Sequence, residues 1–299
     1  MKSLAIAAAA TLLACGGAER APGTHPAPAP APTPRPEGGP FLWEVPGEGG
    51  PSYLFGTIHV GFQADRELPG WVWDKLASCD TFVMEMDLAT VNPFEIARMS
   101  TLPAGQSLET MLGPEDWKRF VDAVGAPPAT LVRLQPWAAT LFLVQKWYPT
   151  PMPLDEALRR RAIDQKKRLV FLETWELQAE IIQMTTIDEL REMLKESAGA
   201  RAALDAMVAA YRAGDFEKLA SIALDPAEIA KNPARHARLF DDRNRAWVGA
   251  LAPHLERGRT FVAVGAGHFA GDAGLLALLR ARGIEPKRVA PPPHQIPQR

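Results

Sequence analysis

Two segments of the chain share one local design. Ser52-Tyr53-Leu54-Phe55 runs into Gly56-Thr57-Ile58-His59, and Phe261-Val262-Ala263-Val264 runs into Gly265-Ala266-Gly267-His268. Each is an apolar, strand-like run that ends in Gly-x-x-His. Glycine lets the backbone turn sharply where a strand ends, so each histidine is held on a turn and not within a sheet face. The ends of buried strands are where α/β sheets place ligands. Two imidazoles delivered in this way could bind one metal ion or act together on a substrate. The chain holds six histidines, His25, His59, His236, His254, His268 and His294, and two of them occupy these matching contexts.

Acids stand at the ends of two other apolar runs. Glu85 follows Thr81-Phe82-Val83-Met84, with Asp87 two residues beyond, and Glu173 follows Leu169-Val170-Phe171-Leu172. A buried acid must meet a cation, a hydrogen-bond donor or water. Glu85 and Glu173 are therefore candidates for metal ligand or general base. Arg243 and Asn244 open a helical segment ahead of the last strong apolar run. By spacing alone they are ordinary helix residues.

The elements that must position these groups follow from periodicity. Phe41–Val45 and Ser52–Phe55, around Pro46-Gly47-Glu48-Gly49-Gly50-Pro51, predict a hairpin. Helices are expected at Trp71–Ala77, Pro114–Val124, Trp137–Lys146 and Leu154–Gln165, the last with Leu154, Leu158 and Ala162 on one face. Strands are expected at Thr81–Met86 and Lys167–Glu173. A long helical stretch from Trp175 to Ala230 should break near Gly199 and at Gly214, with Asp215 as an N-cap. A helix over Asp241–Arg257, a strand over Arg259–Val264, a helix over Gly271–Arg282 ending at Gly283, and a last strand over Lys287–Ala290 complete the pattern. Strands near both ends with helices between predict one α/β (α+β) domain, a mixed central sheet with a large helical insertion.

Before this domain, Lys2 and the apolar stretch Leu4–Leu13 have the form of an export signal too short to span a bilayer. Leu12-Leu13-Ala14-Cys15 resembles the lipobox of bacterial lipoproteins, which predicts diacylglycerol on Cys15. Residues 21–40 are rich in proline, with proline and alanine alternating over 26–32, the composition of a semi-rigid polyproline tether. The expected organisation is a signal peptide over 1–14, a lipidated cysteine and linker over 15–40, the domain over 41–290 and a loose tail over 291–299. It implies an exported protein, anchored to a membrane and facing the periplasm or cell exterior. A formal net charge of −2 on 299 residues gives no footing for nucleic acid. With Cys15 carrying lipid, Cys79 has no partner for a disulfide and is expected to be a buried small hydrophobe.

In their combined order, Phe55-Gly56-Thr57-Ile58-His59, Leu172-Glu173-Thr174 with Gln178, Asp242-Arg243-Asn244, and Val264-Gly265-Ala266-Gly267-His268-Phe269-Ala270-Gly271 resemble the TraB/GumN family. That family is related to the Tiki metalloproteases and, more distantly, to erythromycin-esterase-like and haem-binding ChaN-like proteins, whose architecture the domain is expected to share. The resemblance implies that His59 and His268 bind a divalent cation (manganese, cobalt or zinc) and that Glu85 serves as third ligand or as base. Glu173 and Arg243 match further motif positions, as does Asn244. Phe269 stands where the family usually has leucine. The function implied is a metal-dependent hydrolase acting on a peptide or protein. A metal-free, esterase-like hydrolase with a histidine base, or a non-catalytic lipoprotein that binds peptide or haem, are the alternatives.

Overall fold

A computed structural model of the protein describes residues 39–292. The expected export signal and lipidated Cys15, with His25 and His294, lie outside the described residues.

Six strands form one mixed sheet in the order β4-β3-β5-β2-β1-β6. They are β1 (Leu42–Val45), β2 (Ser52–Thr57), β3 (Thr81–Met84), β4 (Arg168–Phe171), β5 (Thr260–Gly265) and β6 (Lys287–Arg288). The hairpin forms as expected, with β1 antiparallel to β2 and Val45 facing Ser52. β5 lies parallel between β2 and β3, and β4 is parallel to β3. Strands covered on both faces need no polar alternation. β2 and β3 are buried at every position, which explains their unbroken apolar runs, whereas the edge strand β4 is only half-buried.

The parallel arrangement has a direct consequence for the site. β2, β3, β4 and β5 all end on the same sheet edge. His59, Glu85, Glu173 and His268 each follow one of these four ends. The fold class read from the sequence is the one observed.

Helices fill the connections. Leu154–Asp164 packs on β3 and β5, burying Leu154, Leu158 and Ala162. The stretch from Trp175 divides more often than expected. It breaks at Thr185-Thr186, where a capping box formed by Thr186 and Glu189 starts the next helix, and again at Glu196. Gly199 lies inside the helix Ser197–Ala213, because an isolated glycine weakens a helix without ending it. Gly214 does end it, at φ 62°, and Asp215 accepts from the Lys218 N–H at 2.9 Å. Ala237–Asp241 forms a π-turn that runs straight into the helix Asp242–Arg257. Cys79 is buried with a free thiol that burial pushes up to about 11. No helix among the described residues is long and apolar enough to cross a membrane.

Candidate functional site

The two Gly-x-x-His segments deliver their histidines to one place but hold them differently. His59 is buried, and its Nδ1 lies 2.7 Å from Asp155 Oδ2. Asp155 Oδ1 accepts from the Thr57 hydroxyl at 2.7 Å, so a residue of the same Gly-x-x-His turn fixes the carboxylate that fixes the imidazole. With its proton on Nδ1 toward Asp155, neutral His59 carries its lone pair on Nε2. That atom is buried and has no hydrogen-bond partner among the described residues, while Nδ1 meets Asp155 as a close ion-pair contact and not as a well-angled hydrogen bond. Burial works against a charged His59, but the Asp155 carboxylate and then Glu85 outweigh it, so its pKa stands above the usual imidazole value. Asp155, despite its own burial, is held below the usual carboxylate value by His59 and Thr57.

His268 has both ring nitrogens committed. Asn244 Nδ2 donates to the Ala273 carbonyl at 2.9 Å, which turns Asn244 Oδ1 toward His268 Nδ1 at 2.7 Å. An amide oxygen can only accept, so the His268 proton is on Nδ1. Nε2 must then accept, and it does so from Arg243 Nη1 at 3.1 Å. Burial first, and the guanidinium next, hold the His268 pKa well below the ordinary value and keep the ring neutral. Trp247 covers it at 4.4 Å between ring centroids.

Arg243 is the hub of the remaining charges. Its Nε and Nη2 grip Glu173 at 2.9 and 2.6 Å, and Nη2 also donates to Glu85 Oε2 at 2.6 Å. Nη1 reaches back to the Leu239 carbonyl at 3.0 Å, within the π-turn. Gln178 Nε2 bridges the two carboxylates at 2.9 and 2.8 Å, and Trp247 Nε1 donates to Glu173 Oε2 at 3.2 Å. Glu85 Oε1 accepts from the Gly265 N–H at 2.8 Å. The carboxylates meet because Leu172 and Glu173 N–H groups both bond to the Glu85 carbonyl, carrying the β3–β4 ladder past the strands. Burial raises the Glu173 pKa although Arg243 opposes it.

All of this converges above Gly265. A Cβ placed on that residue would lie 3.4 Å from Glu85 Oε1, 3.5 Å from His268 Cδ2 and 3.5 Å from His59 Nε2. The space belongs to a half-open pocket of about 60 Å³ between the two histidine turns.

The donor set bears on a divalent cation at this point. His59 Nε2 and Glu85 Oε1 face it, and Asp155 behind His59 is the outer carboxylate that metal-bound histidines commonly use. His268 presents a carbon edge there, while its Nε2 accepts from a permanently charged guanidinium. Catalytic metal sites supply three protein ligands. Among the described residues no cluster of three histidine, cysteine or acidic side chains is disposed to hold a metal ion. As arranged, the site does not fit a three-ligand cation.

Of the residues expected from sequence, His59, Glu85, Glu173, Arg243 and His268 come together, with Asn244 and Gln178 as hydrogen-bonding partners. Asp87 stays apart: β3 ends at Met84, and Asp87 caps the short turn Leu88–Thr90. Asp155 is the residue that sequence reasoning missed. It shares a helix face with Leu158 and Ala162, three and seven positions on, and an acid among apolar neighbours was the available signal.

A sequence model of the TraB/PrgY/gumN family matches residues 41–288. The chain belongs to the TraB/PrgY/gumN family. An uncharacterized protein of Treponema pallidum (strain Nichols) is 23% identical to this family member over 81% of each chain. Metalloprotease TIKI1 of Danio rerio is 36% identical over a shorter region, 27% of this chain and 16% of its own length. No solved structure matches the chain.

Proposed function

We propose that the chain is a hydrolase in which His59, backed by Asp155, removes a proton from the attacking water. The observation that carries this reading is the unpartnered, buried Nε2 of His59 opening into a pocket between the two histidine turns. Water at Nε2 gives up a proton as its oxygen attacks a carbonyl carbon. The imidazolium formed is stabilised by Asp155 at 2.7 Å and by the nearby Glu85 charge. It then returns the proton to the leaving amine or alcohol. Arg243 and Glu173 hold Glu85 and His268 in place and keep His268 neutral. The partial likeness to Metalloprotease TIKI1 favours a peptide or protein substrate.

A divalent cation (manganese, cobalt or zinc) is the second reading, favoured by that same relative; beside His59 and Glu85 it needs a third ligand, which His268 supplies only if its Nε2 leaves Arg243. A haem-binding role finds less support, since about 60 Å³ is far below the ~300–1,000 Å³ of sites for larger organic ligands. The export signal and Cys15 lipobox support a membrane-anchored lipoprotein facing the periplasm or cell exterior, and a lipid-sized mass on Cys15 after expression in bacteria would test that.

The deciding experiment incubates the full chain with a proteome-derived peptide pool and with simple esters, before and after exhaustive chelation, beside His59→Ala. Cleavage that survives chelation and disappears in His59→Ala supports the histidine base. Cleavage lost on chelation and restored by manganese or cobalt replaces it with the metal reading. The absence of any His59-dependent cleavage refutes both.

A further inference from the structure

The pocket into which His59 Nε2 opens has apolar walls that the hydrolase reading does not use. Its walls are Ile58, Met207, Leu219, Ala223, Phe240 and Ala266, and its polar groups are the two histidines and Thr57. The Thr57 hydroxyl is spent on Asp155, and both His268 nitrogens are occupied. Among the polar side-chain atoms of these described residues, His59 Nε2 is the one left to meet a ligand. A charged or amide-bearing group placed here would lose its water and find at most one side-chain partner, His59 Nε2, in its place.

Size is equally restrictive. A dry cavity of about 150 Å³ admits benzene, so one of about 60 Å³ holds only a few carbon atoms. Two residues set that limit. Phe240 closes one side, its ring wedged against His268 at 5.1 Å and against His236 at 5.2 Å between centroids. Ala223 stands near it: a Cβ on Gly267 would come within 3.0 Å of the Phe240 ring and 3.7 Å of the Ala223 methyl. Gly267 therefore leaves open the little space that Phe240 and Ala223 bound.

We infer that this pocket is a specificity subsite for a small, uncharged aliphatic group, of the size of an alanine or valine side chain, carried next to the carbonyl that faces His59. Phe240 and Ala223 are its size-determining residues. The inference rests on the hydrolase reading for the identity of that carbonyl, but the subsite can be tested by binding alone. N-acetyl amino-acid methylamides of alanine, valine, phenylalanine, lysine and aspartate are titrated into the full chain carrying ¹³C-methyl methionine, and the Met207 methyl resonance is followed. The alanine and valine compounds should shift it with at least tenfold tighter binding than the other three. Ala223→Leu, which fills the pocket, should abolish the shift. Phe240→Ala should admit the phenylalanine compound.

No selectivity among the five compounds, no Met207 shift with any of them, or full binding retained in Ala223→Leu overturns the subsite. Selective binding without any His59-dependent hydrolysis sustains the subsite and sinks the hydrolase reading. Hydrolysis indifferent to the flanking group does the reverse.

Discussion

Arg243→Met tests whether the charge network is held as the geometry implies. The guanidinium makes two hydrogen bonds to Glu173, one to Glu85, one to Leu239 and one to His268. Side chains of Glu85 and Glu173 are only 7% and 3% exposed, so removing the cation strands two carboxylates away from water. Breaking a buried pair in this way costs about 3–5 kcal/mol. In a domain of this size each kcal/mol moves Tm by about 2–4 °C, so Tm should fall by roughly 6–20 °C. The sign of the pH effect follows. Without Arg243 the burial that already raises the Glu173 pKa is unopposed, so the penalty is relieved at low pH, where that carboxylate is protonated. It develops as pH rises from the unfolded value toward the raised one. Urea unfolding followed by circular dichroism at pH 5 and pH 7.5 should show the larger loss at pH 7.5. The triple variant Arg243→Met/Glu85→Gln/Glu173→Gln, which removes the stranded charges, should recover much of it. A loss below about 1 kcal/mol, or one equal at both pH values and undiminished in the triple variant, would refute the reasoning.

Asp155→Asn removes the carboxylate that raises the His59 pKa and fixes its tautomer. The rising limb of kcat/KM against pH should move to lower pH, with kcat down about 10²–10⁴-fold; an unmoved limb would show that Asp155 does not tune the base. The charged His59–Asp155 pair contributes stability below the ordinary imidazole pKa, and this is lost as pH rises through the raised value, so the wild type should lose more stability across that interval than Asp155→Asn. Gly265→Ala places a methyl at ordinary contact distance from Glu85, His268 and His59 at a negative φ, so it should fold within about 1 kcal/mol of wild type yet lose activity. Gly274→Ala, whose Cβ would come 2.3 Å from the Ala270 carbonyl oxygen, should instead lower Tm. Cys79, buried and with its thiol pushed up to about 11, should react with a maleimide at pH 8 only as fast as the chain opens, read by mass spectrometry of its peptide.

The strands were legible because a sheet buried on both faces leaves apolar runs, and the ends of those runs located four of the acids and histidines. Helix divisions were less legible. The break at Thr185-Thr186 depends on capping chemistry that an apolar period does not register, and Gly199 has the composition of a stop without being one. Arg243 looked like a solvated helix residue because nothing nearby in sequence shows that a π-turn precedes it or that two carboxylates wait across the sheet edge.

The two histidines show where local sequence stops being informative. Gly56-Thr57-Ile58-His59 and Gly265-Ala266-Gly267-His268 match in residue pattern and in position after a parallel strand. A repeated motif suggests a repeated role, and a symmetric pair suggests two ligands for one ion. What separates them is the partner at the second ring nitrogen. Asp155 leaves His59 Nε2 free and makes it more basic, whereas Asn244 and Arg243 occupy His268 completely and make it less so. Both sets of partners come from helices, Leu154–Asp164 for one and Asp242–Arg257 for the other. The strands thus place two equal imidazoles at one edge, and the helices make them unequal. That inequality is what a proton-transfer site requires, one ring able to take a proton while the other stays neutral beside it.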